Sequence, residues 1–322
     1  MRVQPDSLVQ TQDENTNPYV FVVGCPRSGT TLLQRMLDNH PQLTIANDTH
    51  FITRATKNTL RRDPAPEMNA ERLKAVLNYR RTCRMGLENS DLEQAASYSG
   101  TYAEFVSKLY NLRGSKQGKP FSGEKTPDYC RQIPALHTLF PGSRFIHIVR
   151  DGRDTALSTM SWATENKGPG KWPLWKEDPV GTCALWWRWQ AAAGERDGGA
   201  LPPGLYRRLR YEDLVADPER ELREIANILA LPYSGNMINY HTGRMRNQAG
   251  LSAKSAWLPP VPGLRNWRQD MSPEDVCVFE SIAGELLTHF GYECVGERAT
   301  SSVSRRVQRC LQWWHLEGNN RH

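Results

Sequence analysis

Short apolar runs alternate with amphipathic stretches along this chain. Tyr19–Val23 is continuous, apolar and β-branched, the pattern of a strand buried on both faces. A glycine-bearing turn follows at Gly24–Gly29. Thr30–Asn39 then places Leu32, Leu33, Met36 and Leu37 on one helical face, with Pro41 beyond its end. Leu43–Ala46 reads as a second strand. Phe145–Val149 is another apolar strand, ending at Arg150-Asp151-Gly152, and Leu205–Tyr211 is a more polar candidate. Pro218–Leu231 reads as a helix with Leu222, Ile225, Ala226 and Leu229 inward. Ser272-Pro273-Glu274-Asp275 has the form of a capped helix start: serine as N-cap, proline first in the helix, an acid third. That helix carries Val276, Phe279, Ile282, Ala283 and Leu286 and ends near Gly291. Strands alternating with helices predict an α/β fold, a parallel sheet covered by helices on both faces. The stretches at about 55–120 and 160–200 read as helical or irregular insertions. No Pro/Gly/Ser linker divides the chain. The expected organisation is a disordered lead over 1–17, one domain over 18–298 and a helical tail over 299–322.

Composition narrows this picture. The chain has 322 residues, 39% of them apolar and 9% aromatic, enough for a sizeable core and too much for global disorder. No run of 18 apolar residues is present, so no transmembrane segment is expected. The first 17 residues are polar and acidic, without the apolar stretch of a signal peptide, which makes the cytoplasm the expected compartment. Seven scattered cysteines with no C-x-x-C pair argue against a zinc site or a disulfide framework. Net charge is +6, which suits an anionic ligand. Lysines and arginines form no block, so nucleic acid is not an expected partner.

The strongest chemical pattern is Gly24-Cys25-Pro26-Arg27-Ser28-Gly29-Thr30-Thr31. Glycines five apart let the backbone turn its N–H groups inward, and the following helix adds the positive end of its dipole, so an anion is held without a metal. In the nucleoside triphosphate version of such a loop a lysine reaches the β- and γ-phosphates. Thr30 stands at that position here, and the cation is instead inside the loop, at Arg27. Pro26–Thr31 resembles the 5'-phosphosulfate loop, P-[KR]-S-G-T-[TS], of sulfotransferases that use 3'-phosphoadenosine-5'-phosphosulfate (PAPS). The continuation Leu32–Pro41 resembles the bacterial-type branch of that superfamily, near the tyrosylprotein and carbohydrate enzymes. The resemblance implies a P-loop-type sheet and places Arg27, Ser28, Gly29, Thr30 and Thr31 on the nucleotide.

Arg150-Asp151-Gly152-Arg153-Asp154-Thr155-Ala156-Leu157-Ser158 resembles the same family's 3'-phosphate motif. An arginine at a strand's carboxyl end sits at the ligand edge of an open sheet, and its guanidinium can fork onto a phosphate. Arg150 and Ser158 are therefore expected on the 3'-phosphate of PAPS or of the product, PAP. Leu209–Leu214 resembles a further segment that brings a tyrosine, here Tyr211, near the adenine. Gly263–Arg268 matches a closing loop only loosely and makes Arg265 a candidate. The likeness runs over about 19–292.

Sulfuryl transfer needs a base for the acceptor hydroxyl and cations on the leaving oxygen. Asn47-Asp48-Thr49-His50-Phe51 resembles a family segment whose glutamate is the base. Asp48 stands in that place, one methylene shorter, and His50 is the second choice. Glu124-Lys125-Thr126-Pro127 resembles the segment that supplies a lysine to the sulfuryl group, so Lys125 is expected to act beside Arg27. No metal is expected. Six tryptophans over Trp162–Trp189 either fill core or stack on an acceptor, and Asn166–Gly170 reads as a lid over it. The acceptor carries a hydroxyl on a small molecule, a carbohydrate or a peptide tyrosine. The tail, with Val303, Val307, Cys310, Leu311 and Trp314 at helical spacing, either docks on its own domain, makes a homodimer contact or lies on a membrane surface. An atypical P-loop kinase or NTPase and a non-catalytic nucleotide-binding protein are the alternative functions.

Overall fold

Five parallel strands in the order β2-β3-β1-β4-β5 form the frame: β1 Val20–Val23, β2 Leu43–Asn47, β3 Phe121–Lys125, β4 Arg144–Val149 and β5 Tyr206–Arg210. The structure is a computed structural model that describes residues 17–56, 59–60, 62–164, 167–242, 265–296 and 300–318. The predicted strands fall where the apolar runs placed them. β1 is central and none of its four residues is exposed. β5 lies at an edge and tolerates its three arginines there.

The sheet alternates as pleating requires. Phe21, Val23, Ala46 and Phe145 face one core, shared with the helices Tyr102–Lys116 and Ile133–Leu139. Val20, Val22, Leu43, Ile45, Ile146, Ile148 and Leu209 face the other, under the helices Thr30–Asp38 and Pro218–Ile228. The strand β3 has no counterpart among the elements read from the sequence. Phe-Ser-Gly-Glu-Lys carries a single large apolar residue, and its centre is glycine because the sheet is tight there. A Cβ on Gly123 would lie 2.5 Å from the Val20 carbonyl oxygen.

Parallel register puts all carboxyl ends on one edge. Lys125 lies opposite Asn47 and next to Val22, and Val149 lies opposite Arg210. Ligands of open α/β sheets bind at that edge.

The insertion after β2 is helical, with Ala70–Leu77, Asn89–Ser97 and Tyr102–Lys116. The 160–200 insertion is chiefly the 21-residue helix Pro179–Gly199, capped by Asp178 accepting from the Gly181 amide at 2.8 Å. Ser272 caps the helix Pro273–His289, accepting from the Asp275 amide. The tail forms the helix Ser301–Trp313 and packs on the molecule's own core through Val303 and Cys310. Arg306 fixes it, bonding to Asp178 and Asp275, each at 2.8 Å.

Of the expected lead, residues 1–16 lie outside the described residues. Asn17 is buried and bonded to Asn111, Pro120 and the Ser122 amide. Among the described residues no helix is long and apolar enough to cross a membrane.

Candidate active site

The loop after β1 is bent into a cradle. Gly24, Arg27 and Gly29 all have positive φ, at 152°, 79° and 96°. Gly29 is required, since a Cβ there would lie 2.3 Å from the Tyr211 ring. Ser28 donates its amide to the Cys25 carbonyl at 3.1 Å, which closes the turn. Its hydroxyl is fully buried and has no partner within the protein. Thr30 and Thr31 open the helix Thr30–Asp38, so its unpaired N–H groups face the same space.

The second motif meets this loop directly. Ser158, on the helix Gly152–Met160, accepts from Arg27 Nε at 3.0 Å. Arg150 follows β4 and is 7% exposed. Its guanidinium lies 4.5 Å over the Tyr211 ring and 3.6 Å from Asp154, and its Nε has no partner. Trp187 Nε1 holds the Arg150 carbonyl at 3.1 Å. Arg153, in the same motif, turns inward: it pairs with Asp151 at 2.7 Å and Glu280 at 2.6 Å and stacks 3.6 Å over Trp267. One arginine of the motif faces the ligand edge while the other builds the wall. Arg265 is exposed and contacts Ser161 at 3.4 Å. Burial, reinforced by the charges of Arg265 and Arg150, pushes the Arg27 guanidinium pKa down. Three cations thus press on one space.

Asp48 follows β2, Lys125 ends β3, and their side chains pair at 3.0 Å. Lys125 is 1% exposed. Burial alone would raise the Asp48 carboxyl. Lys125, by charge and hydrogen bond, together with His50 and Arg84, outweighs it and holds the group below its ordinary value. Burial pushes the His50 imidazole down to about 4, so it is neutral at pH 7. Arg84 donates to the Asp48 carbonyl at 3.2 Å.

Two neighbours of this pair escaped the sequence reading. Arg84 lies in the insertion, where nothing in its local pattern marks it. Glu124 stands beside Lys125 in the quoted segment, but its burial follows from the strand β3, which the sequence pattern does not mark.

The Sulfotransferase family model matches residues 18–235. The chain belongs to the sulfotransferase family. Protein-tyrosine sulfotransferase A of Caenorhabditis elegans is 24% identical over 293 residues, covering 86% of this chain and 68% of that protein. Human protein-tyrosine sulfotransferase 1 is 24% identical over 286 residues, with 86% and 70% covered. The sulfotransferase domain of the Synechococcus PCC 7002 olefin synthase superposes with a TM-score of 0.59 at 21% identity, covering 88% of this chain and 97% of the domain. The predicted α/β architecture with a parallel sheet is thus borne out.

In this sulfotransferase Trp172, Trp186, Trp189, Trp313 and Trp314 pack on one another. Trp172 meets Trp186, Trp313 and Trp314 at ring distances of 5.1–5.7 Å, and Trp189 meets Trp172 at 5.9 Å. The tail therefore completes this cluster. Asn166, in the expected lid, lies outside the described residues. Gly168–Lys171 is a 3-10 turn in which Pro169 and Gly170 are buried. Lys167 Nζ lies 4.4 Å over the Trp162 ring. Burial, with the charges of Arg27 and Arg81, lowers its pKa, so it belongs to the same cationic edge. A 400 Å³ hollow beside Arg188, Glu280 and Leu286 meets this site only through Glu280, the partner of Arg153.

Proposed function

We propose that this sulfotransferase takes its sulfuryl group from PAPS, releases PAP and sulfates an acceptor hydroxyl. The observation that carries the reading is the 3.0 Å bond from Arg27 to Ser158, which joins the phosphate loop to the Arg150 motif. Two anion cradles side by side suit one nucleotide bearing both a 5'-phosphosulfate and a 3'-phosphate. The orphaned Ser28 hydroxyl and Arg150 Nε fit such a ligand, because buried polar groups without partners are costly. Ser28, Gly29, Thr30 and Thr31 would hold the 5' group, Arg150 and Ser158 the 3'-phosphate, and Tyr211 the adenine side. Arg265 would close over it.

In the transfer, Asp48 takes the acceptor's proton as the acceptor oxygen bonds to sulfur. The bond from sulfur to the 5'-phosphate oxygen breaks, and Lys125 and Arg27 meet the charge that forms on that oxygen. Pairing with Lys125 keeps Asp48 ionised and able to accept. The names of the relatives make a peptide tyrosine the first acceptor to try. Calorimetric titration with PAP, ADP and ATP, then turnover of labelled PAPS over tyrosine peptides, sugars and small phenols, tests the reading. PAP should bind more tightly than ADP, which lacks the 3'-phosphate. Equal binding of ATP and PAP, or Mg²⁺-dependent ATP hydrolysis, would favour the kinase or NTPase alternative.

A further inference from the structure

Glu124 is wholly buried one residue before Lys125, yet it has no part in the transfer described above. Its Oε1 accepts from the Thr49 backbone amide at 3.0 Å and from the Thr126 hydroxyl. Its Oε2 accepts from the Tyr110 hydroxyl at 2.7 Å. A carboxyl group this deep is tolerated only when donors surround it. These donors come from two sides. Thr49 lies in the bend after β2 and Thr126 in the turn after β3, so the carboxylate ties the bend to the strand end.

That bend is strained. Asp48 and His50 both have left-handed backbones, at φ 58° and 57°, a conformation that disfavours side-chain-bearing residues. Thr49 sits between them. Three bonds hold the bend: the Asp48 amide to the Lys125 carbonyl at 2.6 Å, Arg84 to the Asp48 carbonyl at 3.2 Å, and Thr49 to Glu124. Left without them, the backbone would relax toward the extended region and turn the Asp48 carboxylate away from Lys125.

We infer that Glu124 is a positioning residue: its clamp on Thr49 holds the strained bend and so sets the 3.0 Å pairing of Asp48 with Lys125. The inference rests on the reading of Asp48 as the base. Glu124→Gln keeps the shape but removes the charge, and its NH₂ group either faces the Thr49 amide, an obligate donor, or forces the Tyr110 hydroxyl to turn from donor to acceptor. Misplacing a reacting group by about 1 Å costs ~10²-fold, so kcat should fall ~10–100-fold. PAP affinity should stay within about twofold, because the phosphate cradle is untouched. In an Asp48→Asn background the same change should cost less than about twofold, since there is no base left to misplace. Equal losses in both backgrounds, or no loss in either, would overturn the inference. Should Glu124→Gln fail to fold, Thr126→Val, which removes one donor, takes its place with an expected ~2–10-fold fall. A crystal structure of the variant reads the bend whatever the donor proves to be. Departure of Asp48 from the left-handed region, with the Lys125 pair open, supports the inference, and an unchanged bend sinks it. Absence of PAPS turnover by the unaltered enzyme would instead defeat the functional reading alone.

Discussion

Gly29→Ala probes the phosphate cradle through a single methyl group. Gly29 has φ 96° and ψ 7°, a left-handed conformation that costs an L-residue about 1–2 kcal/mol. The new Cβ would lie 2.3 Å and 2.9 Å from two carbons of the Tyr211 ring. The ring has little room to retreat: it is 8% exposed, and Arg150 covers it at 4.5 Å. Overpacking of this kind costs about 1–3 kcal/mol. The total, about 2–5 kcal/mol, divides between fold stability and the site, because a displaced Tyr211 carries Arg150 with it. Tm should fall by several degrees, and PAP affinity by ~10-fold or more, as a loss of about 1.4 kcal/mol in binding implies. Scanning calorimetry and titration calorimetry read the two parts. Removing the obstacle should separate them: Gly29→Ala combined with Tyr211→Ala should melt close to Tyr211→Ala alone, leaving only the backbone cost. A Gly29→Ala protein that melts within a degree of the unaltered one and binds PAP equally would refute the crowding argument.

Arg150→Ala should weaken PAP binding by about 1.5–3 kcal/mol, the range for a charge-assisted bond, and affect adenosine 5'-phosphosulfate far less. Equal losses for both nucleotides would remove Arg150 from the 3'-phosphate. Asp48→Asn should lower turnover ~10²–10⁴-fold with PAP affinity unchanged, whereas His50→Asn should do so only if the base is His50. Lys125 holds the Asp48 carboxyl below its ordinary value, so its basic form persists as pH falls. kcat should therefore stay level from neutrality until pH drops below about 4, the usual carboxylate value, and a midpoint near 6 would assign the base elsewhere. Arg306→Ala leaves the Asp178 carboxylate, 2% exposed, without its partner. Breaking a buried pair costs about 3–5 kcal/mol, here toward the lower end because Arg306 is 24% exposed, so Tm should fall and hydrogen exchange over 301–313 should rise. Burial pushes Asp178 up, but Arg306 and the Gly181 amide bring it below its ordinary value. Its contribution is thus present above the unfolded carboxylate pKa and lost as pH falls through the lower folded one.

What the sequence revealed follows from locality. β1, β2 and β4 are legible because each is buried on both faces and must be apolar without interruption. The phosphate loop is legible because its backbone needs glycine at fixed places, and Gly29 shows why. Asp48 and Lys125 were singled out separately, and parallel pairing of β2 with β3 brings them to 3.0 Å. The strand β3 was not legible: Ser122, Glu124 and Lys125 break the apolar run that marks a strand. Arg84 was equally hidden, because it reaches Asp48 across 36 residues from a short turn in the insertion. The six tryptophans were ambiguous for the opposite reason. Trp172 and Trp189 find partners in Trp313 and Trp314, more than a hundred residues downstream, and only packing shows which way the rings face.

Arg27, Arg150, Arg265 and Lys167 act on a common space, and the neighbouring carboxylates offset them only in part. Asp151 and Glu280 hold Arg153, and Asp154 accepts from the Trp267 amide at 2.9 Å while standing 3.6 Å from Arg150. Burial first, and the like charges of Arg265 and Arg150 second, lower the Arg27 pKa, so holding that cation here opposes folding. These charges are tolerable because the scaffold that fixes them is neutral and dense: the Tyr211 ring under Arg150, Trp187 on its carbonyl, and Ser158 on Arg27. An anion bearing charge at both ends of this space relieves the repulsion at each. Its binding is then linked to stability, because a ligand held by the folded state alone stabilises that state in proportion to the logarithm of its concentration over Kd. The same arrangement separates the two tasks of the site. In the proposed function, donor affinity rests on the loop after β1 and the motif after β4, while proton transfer rests on the Asp48–Lys125 pair at the ends of β2 and β3. Variants in one half should therefore move binding, and variants in the other turnover.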